Sequence, residues 1–363
     1  MRIRFGIIGC GGAALPVCAA IADSANAQLG QVFDLDSQLA QDLGKKYNIP
    51  SATDLDELLR DNEINAVYIA VPHDQLYPLA RASLLAGKHA LVEKPMALTL
   101  AQADELIALS EQKGRKLAVF YELRHTQPYT QARQLIQAGA LGKVIGVRIQ
   151  TLIDKPLTYW GEGYTGRSTS PWRGQKARAG GGVVLMNTSH QLDALRYLTG
   201  LEVASVSAQL GTLTASVEVE DIASVSLSFD NGAIGSIFAM AHAPGAQGGG
   251  DEHFDIIGMG GQLKVPDAYG NGALRVYLRR GWEEVRLGAA IPAGVWTTLP
   301  YLPVAVYAEA IEAFVSAIQQ NKPAPTNGYD ARQVLAIVLA IYQAAAEKRT
   351  ISPSRGHLCT QST

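Results

Sequence analysis

Short apolar runs alternate with amphipathic stretches along the first third of the chain. The runs are continuous, as in residues 65–71, which is typical of strands buried on both faces of a sheet. The stretches between them repeat their apolar positions with the period of a helix. The pattern predicts strands at residues 4–8, 28–33, 65–71, 89–92 and 116–121, and helices at 12–24, 37–47, 74–86 and 99–113.

Strands that alternate with helices form parallel sheets through right-handed crossovers, so residues 1–121 are predicted to form an α/β domain. A second, α+β domain with an open, mainly antiparallel sheet is expected over residues 122–350, and a flexible tail over 351–363. Its predicted helices lie at 127–138, from the glycines at 180–182 to about 198, at 304–320 and at 329–348. Its predicted strands lie at 143–151, from 205 onward, at 222–229, 233–240, 254–257 and 274–278.

The composition indicates a chain that recognises a small molecule. With 363 residues, 47% hydrophobic and 18% charged, the chain is long enough for two domains with sizeable cores. A net charge of −2 provides no basic patch for nucleic acid or for an anionic membrane. The longest clean apolar run, residues 334–342, is shorter than the roughly 20 residues of a membrane helix. The three cysteines, Cys10, Cys18 and Cys359, are too unevenly spaced to predict a disulfide framework or a metal site.

Residues 1–27 resemble a secretory signal, with Arg2 and Arg4 ahead of an alanine-rich segment. Glycines and Asp23 interrupt that segment, so we expect it to belong to the first domain instead. The expected location is therefore cytoplasmic.

A glycine-rich turn follows the first strand and opens the first helix, in the sequence Gly9-Cys10-Gly11-Gly12-Ala13-Ala14. Gly9 suits a tight turn, and Gly11 lets the backbone approach a pyrophosphate at the helix N-terminus. Asp34 ends the second strand about twenty residues further on, where a carboxylate would accept hydrogen bonds from an adenosine ribose. Leu35 follows, and no arginine is near in the sequence, so NAD is favoured over NADP as the cofactor.

The tripeptide Glu93-Lys94-Pro95 follows the fourth predicted strand. An open α/β sheet places ligands and catalytic groups at the C-terminal ends of its strands, which makes Lys94 a candidate. Pro95 biases Lys94 away from helical geometry and so helps to fix the direction of its side chain. An ordinary surface lysine is the alternative.

These motifs together resemble the Gfo/Idh/MocA family of oxidoreductases, the group of glucose-fructose oxidoreductase and inositol dehydrogenase, over nearly the whole chain. The resemblance rests on Gly9-x-Gly11-x-x-Ala14, on Ala66 to Pro72, on Glu93-Lys94-Pro95, and on Gly180-Gly181-Gly182 followed by His190 and Asp193. Weaker similarities are residues 139–143, residues 219–222 and Trp172-Arg173.

The resemblance implies that Lys94 lies near the nicotinamide and the substrate, and that His190 faces it from the second domain. Oxidation of a secondary alcohol needs a base, which His190 would supply while Lys94 stabilises the developing alkoxide. Many members of the family carry an aspartate four residues before this histidine, where this chain has Met186. Asn187, one place later, cannot act as a base, so the base role falls on His190 or an acid is supplied elsewhere.

Further residues are expected to line the site. Candidate cofactor contacts are Gly12, Ala13, Ala70, Pro72, His73 and Glu93, and candidate substrate contacts are Tyr121, Arg124, Trp172, Arg173 and Asn187. Interdomain packing is an alternative role for Tyr121 and Arg124. Trp172 and Arg173 suit a sugar, because an aromatic face packs on C–H groups and arginine donates to hydroxyls. The long loop over residues 153–179 is expected to set the choice of substrate.

The run Asp251-Glu252-His253 looks like a metal cluster. Adjacent residues of a strand point to opposite faces, however, so we expect no metal site there.

The sequence thus predicts an NAD-dependent dehydrogenase that oxidises, or in reverse produces, a secondary hydroxyl of a sugar, polyol or sugar derivative between the two domains. One alternative in the same fold is an NAD-dependent glycosidase that works by transient oxidation and elimination. Another is a non-catalytic NAD-binding regulator. A homodimer or homotetramer is expected, because a broad apolar sheet face needs a cover.

Overall fold

The computed structural model describes residues 2–167, 169–246, 253–266, 272–283 and 289–356. The first sheet has five parallel strands in the order β2-β1-β3-β4-β5. These strands are β1 (Ile3–Ile8), β2 (Ala27–Phe33), β3 (Ala66–Ile69), β4 (His89–Val92) and β5 (Leu117–Val119). The helices between them are α1 (Ala14–Asp23), α2 (Ser37–Tyr47), α3 (Leu55–Arg60), α4 (His73–Leu85) and α5 (Leu100–Gln112).

The prediction of an α/β domain with a parallel sheet is confirmed, and α3 is the one described helix of this domain that the periodicity did not predict. A capping signal was present, because the side chain of Asp54 accepts a hydrogen bond from the backbone N–H of Glu57 over 2.8 Å. The strand order reverses at β1, because β2 lies on one side of it and β3 on the other. In open α/β sheets a crevice for ligands opens at this point, beside the carboxyl ends of the strands.

The second sheet has eight strands in the order β13-β12-β11-β10-β6-β9-β8-β7. Only the β6–β9 pair is parallel within the described sheet, which confirms the open and mainly antiparallel arrangement. The strands are β6 (Val144–Leu152), β7 (Val203–Gly211), β8 (Ile222–Phe229), β9 (Ile234–Met240), β10 (His253–Gly258), β11 (Gly261–Pro266), β12 (Arg275–Leu278) and β13 (Thr297–Thr298). The helices are α6 (Gln127–Gln137), α7 (Tyr159–Glu162), α8 (Lys176–Ala179), α9 (Ser189–Thr199), α10 (Val306–Gln319) and α11 (Gly328–Glu347).

Several elements of this second part differ from the prediction. Strand β11 was missed, although Leu263 and Val265 alternate with polar residues as a half-buried strand requires. The loop over 153–179 contains the short helices α7 and α8 and a 3₁₀ turn at Pro171–Gly174. The helix expected after the three glycines begins with a π-helical turn at Val184–Thr188 and continues as α9.

The last third of the chain ties the two domains together. Helix α10 lies in the range assigned to the second domain, yet it packs on the first, where the rings of Phe314 and Phe5 have centroids 6.3 Å apart. Ile351, the first residue of the expected tail, is buried and exchanges backbone hydrogen bonds with Val206 of β7. Residues 357–363 of that tail lie outside the described residues. Among the described helices, none is both long and apolar enough to cross a membrane.

Candidate active site between the two domains

The glycine-rich turn joins β1 to α1 where the strand order reverses. Gly9 has φ +92°, and a Cβ at this position would stand 2.2 Å from the carbonyl oxygen of Ala70. Only glycine tolerates both this conformation and this contact. The backbone N–H of Gly9 also donates to the carbonyl oxygen of Phe33 over 2.8 Å, so the ends of β1, β2 and β3 meet at the turn.

Asp34 stands at the end of β2 beside this turn. Its carboxylate accepts hydrogen bonds from the backbone N–H groups of Cys10, over 2.6 Å, and Asp36, over 2.9 Å. A carboxylate oxygen has further lone pairs with which it can accept ribose hydroxyls. Ala13 is the N-cap of α1, whose first turn carries no acidic side chain, and a Cβ at Gly11 would meet nothing within 4 Å. These residues therefore fit a dinucleotide with its pyrophosphate at the helix N-terminus.

The turn after β3 approaches the second domain. Ala70 and Pro72 precede α4, and the first helical residue, His73, is buried. The His73 Nδ1 lies 2.7 Å from the carbonyl oxygen of Ala179, and its ring centroid lies 4.7 Å from that of Trp172. Burial, together with the positive charge of Lys94, lowers the pKa of His73 to about 3, so its imidazole is neutral. The side chain of His73 thus packs against the second domain.

Glu93-Lys94-Pro95 begins where β4 ends, and the peptide bond between Lys94 and Pro95 is cis. The phenol of Tyr68 donates a 2.7 Å hydrogen bond to the carboxylate of Glu93, whose pKa is raised by burial. The ammonium of Lys94 reaches across the cleft and donates to the carbonyl oxygen of Met186. Burial lowers the pKa of Lys94, although the neighbouring carboxylate of Glu93 opposes that shift.

His190 lies in the first turn of α9, directly after the π-helical turn. Its side chain is buried against Tyr121, whose ring stands edge-on at a centroid distance of 5.7 Å. The Nδ1 of His190 is 3.7 Å from a carboxylate oxygen of Glu122. Burial and then the charge of Lys94 lower the pKa of His190 well below its usual value, so the imidazole is neutral at pH 7. π-helical turns are rare and occur frequently at functional sites.

Glu122 lies near His190 in space. Its carboxylate comes from the 3₁₀ turn that follows β5, at the start of the range assigned to the second domain, and one of its oxygens is 3.7 Å from Nδ1 of His190. Periodicity could not reveal this proximity, because the two residues are 68 positions apart in the sequence.

Lys155 is a second lysine of the site that the sequence reasoning missed. Its ammonium donates a 2.7 Å hydrogen bond to the side-chain oxygen of Asn187 and lies 3.9 Å from the ring centroid of Tyr159. The residue is only 2% exposed. Nδ1 of His242 donates to the carbonyl oxygen of Lys155 over 2.7 Å, and Nε2 of the same ring accepts from the indole N–H of Trp160 over 2.9 Å. Asn187, predicted to bind substrate, therefore also holds the ammonium of Lys155.

Arg124, a predicted substrate contact, is engaged elsewhere. Its guanidinium forms a bidentate ion pair with the buried carboxylate of Asp193, with 2.7 Å between Nε and Oδ2. It also donates to Asp330 and to the carbonyl oxygen of Pro325, each over 3.0 Å. Since these acceptors come from three parts of the chain, the arrangement favours the alternative role of interdomain packing for Arg124.

Trp172 and Arg173 lie on the 3₁₀ turn that faces α4. The guanidinium of Arg173 lies 4.7 Å from the ring centroid of Trp172 and 5.5 Å from that of Tyr159. Trp172 in turn contacts His73. These two residues therefore lie between His73 and Tyr159, and their contact with a substrate stays a prediction.

The similarity at residues 219–222 has a structural explanation. The carboxylate of Glu220 accepts hydrogen bonds from the backbone N–H groups of Gly182, over 2.8 Å, and Val184, over 3.0 Å. The phenol of Tyr342 donates to the same carboxylate over 3.0 Å. Glu220 therefore anchors the start of the π-helical turn that carries the site residues.

No group of three histidine, cysteine or acidic side chains in the described ranges could hold a metal ion. Asp251 and Glu252, the acidic residues of the run discussed above, lie outside the described residues.

Comparison with known proteins gives the class. Residues 3–121 match the family model described as "Oxidoreductase family, NAD-binding Rossmann fold", and residues 129–264 match the "GFO/IDH/MocA C-terminal domain". The chain therefore belongs to the Gfo/Idh/MocA family and is an NAD-binding oxidoreductase, as its sequence motifs predicted.

Two relatives and one solved structure illustrate the similarity. A 1-carboxy-3-chloro-3,4-dihydroxycyclohexa-1,5-diene dehydrogenase from Comamonas testosteroni is 30% identical over 246 residues, which cover 66% of this chain and 58% of the relative. Levoglucosan dehydrogenase from Pseudarthrobacter phenanthrenivorans is 28% identical over 355 residues, 87% of each chain. A structure titled as levoglucosan dehydrogenase in complex with NADH and levoglucosan superposes with a TM-score of 0.84 at 24% identity, and covers 98% of this chain and 100% of that one.

Proposed function

We propose that the chain is a dehydrogenase that transfers a hydride between NAD and a ring-borne secondary hydroxyl of a sugar, polyol or sugar derivative. One observation carries the proposal. The ammonium of Lys94 reaches across the cleft to the carbonyl oxygen of Met186, beside the dinucleotide site, and its charge acts on the imidazole of His190. Support for the substrate class comes from the two relatives, one named for levoglucosan and the other for a dihydroxylated carbocycle.

Bound NAD would supply the hydride acceptor, and Asp34, the glycine-rich turn and the turn at Ala70 to His73 would hold it. The protein must also remove the hydroxyl proton, which requires a base with a pKa near the working pH. Burial lowers the pKa of Lys94 from a value far above neutrality, which brings it closer to the working pH. Burial lowers the pKa of His190 from 6.5, which takes it further from the working pH.

We therefore propose that Lys94 accepts the hydroxyl proton and that neutral His190 orients the hydroxyl by a hydrogen bond. This reverses the division of roles expected from the sequence, where His190 was the base. Glu122, 3.7 Å from Nδ1, would hold the imidazole of His190 in a fixed orientation. Lys155 and Asn187, with Trp172 and Arg173, would then contact the remaining hydroxyls of the substrate.

A panel of sugars, polyols and cyclic diols, each assayed for NADH absorbance with NAD, tests the proposal. Turnover of at least one ring-borne secondary alcohol is expected, and the loss of all turnover on every member of the panel would argue against it. If glycosides were cleaved with no net NADH, the glycosidase alternative would replace the dehydrogenase. If NAD bound and no substrate reacted, the non-catalytic regulator would replace the dehydrogenase.

We further infer that a second copy of the chain covers the open face of the second sheet. Large apolar side chains are exposed there, namely Ile234 at 67%, Phe238 at 43% and Ile257 at 36%. Contiguous apolar patches of this kind mark association surfaces. A cytoplasmic location stays a prediction from the sequence.

A further inference from the structure

A short segment of the second domain lies over the dinucleotide turn of the first. We name residues 163–167, which follow α7, the strap. The hydroxyl oxygen of Thr165 lies 2.6 Å from the position that a Cβ would occupy at Gly12. A side chain at Gly12 therefore requires Thr165 to shift, whereas one at Gly11 would meet nothing within 4 Å.

Arg167 extends from the strap to the backbone of the dinucleotide turn. Its Nε donates a 2.9 Å hydrogen bond to the carbonyl oxygen of Cys10, and its guanidinium lies within 3.5 Å of the carbonyl oxygen of Leu39 in the first turn of α2. The N–H of the same Cys10 donates to Asp34. The guanidinium of Arg167 and the carboxylate of Asp34 thus both contact the backbone of Cys10.

In the described part of the chain, both hydrogen-bond acceptors of Arg167 are backbone carbonyl oxygens, which carry no net charge. A phosphate group is a stronger acceptor for guanidinium, since it carries charge and can accept two parallel hydrogen bonds. The turn beside it belongs to a Rossmann domain that binds NAD, and the start of α1 carries no acidic side chain that would repel an anion. A phosphate of the dinucleotide would lie within this neighbourhood.

We propose that Arg167 binds a phosphate group in the adenosine half of the dinucleotide, so that the cofactor is held by both domains. The phosphate is either the pyrophosphate or the 2′-phosphate that distinguishes NADP. The inference rests on the cofactor site and is independent of the roles proposed for Lys94 and His190. It also modifies the argument from Leu35, because Arg167 reaches the carbonyl oxygen of Leu39 although it lies 128 positions from Leu39 in the sequence.

Isothermal titration of the full chain with adenosine, 5′-ADP and 2′-AMP tests this proposal without any turnover. The variants are Arg167→Ala and Arg167→Lys, with Arg60→Ala as a control that removes an equal charge from an exposed pair of the first domain. We expect Arg167→Ala to weaken binding of at least one phosphorylated nucleotide by about tenfold, the loss of one charged hydrogen bond, and to change adenosine affinity less than about twofold. Arg167→Lys should recover part of the loss, and Arg60→Ala should match the wild type.

A loss confined to 5′-ADP would identify the pyrophosphate as the ligand of Arg167. A loss confined to 2′-AMP would identify the 2′-phosphate and would predict that NADP is accepted as well as NAD. Three results would overturn the proposal: wild-type affinity of Arg167→Ala for both nucleotides, an equal loss for adenosine, or no binding of 5′-ADP and 2′-AMP by the wild type. A thermal unfolding midpoint for each variant separates a lost contact from a lost fold.

Discussion

The ammonium of Lys94 donates a hydrogen bond to the carbonyl oxygen of Met186, and this contact joins the end of a Rossmann strand to the π-helical turn of the second domain. The lysine is thus held at the domain boundary, beside the imidazole of His190, before any substrate binds. In that position an incoming hydroxyl can replace Met186 as its partner.

The pH dependence of oxidation should distinguish Lys94 from His190 as the base. Lys94 accepts a proton only in its neutral form, so the rate constant kcat/KM for oxidation should rise with pH through a pKa that burial has lowered from its usual 10.5. If His190 were the base, the rise would end below pH 6.5, because the pKa of this residue is lowered from that value. A profile that is flat from pH 6.5 to 10 would contradict the assignment to Lys94.

Replacement of Lys155 by methionine should shift the rise of kcat/KM to higher pH. The positive charge of Lys155 lowers the pKa of Lys94, so its removal lets that pKa rise. Lys155→Arg retains the charge and serves as the matched control. If kcat/KM of Lys155→Met rises at the same pH as the wild type, or at lower pH, the two lysines do not interact as described.

The ion pair of Arg124 and Asp193 should be important for stability. Asp193 is fully buried and Arg124 is 6% exposed, so Asp193→Ala leaves a buried guanidinium without its main partner. The expected loss is about 3–5 kcal/mol of unfolding free energy, measured by urea denaturation. Asp56→Ala, which breaks an exposed pair, should leave the midpoint nearly unchanged. Equal midpoints for the two variants would refute the structural role.

Phe238→Lys should convert the predicted oligomer to monomers. The substitution places a charge in the exposed apolar face of the second sheet, whereas Leu213→Lys alters an exposed leucine outside the strands as a control. Molar mass from light scattering after size exclusion gives the state of association, and NAD binding reports on the fold. Equal masses for wild type and Phe238→Lys would place the interface elsewhere or exclude one.

Local rules predicted most of the first domain. The continuous apolar runs, the glycine turn and Asp34 each depend on neighbours within a few dozen residues, and the structure places them as expected. Lys94 was a candidate from its place at the end of a strand, whereas His190 and its proximity to Lys94 were inferred from the family resemblance.

The residues that were missed depend on contacts between distant parts of the chain. Glu122 approaches His190 from the turn after β5, Lys155 donates to the side chain of Asn187, and Arg167 reaches the turn at Cys10. The π-helical turn was missed for a different reason, since one extra residue in a helical turn leaves little trace in hydrophobic spacing. The ion-pair partners of Arg124, the buried Asp193 and the partly exposed Asp330, lie too far away in the sequence to be recognised from it.

The central claim is that Lys94 performs chemistry rather than cofactor binding, and Lys94→Ala tests it most directly. Using the best substrate of the panel, kcat for oxidation and the Kd of NAD are measured for this variant and for Lys143→Ala, an exposed lysine of the second domain. We predict that kcat of Lys94→Ala falls by about 10²- to 10⁴-fold, the contribution of one general base, while its Kd for NAD changes less than about threefold and Lys143→Ala matches the wild type. A kcat for Lys94→Ala equal to that of the wild type would contradict the account.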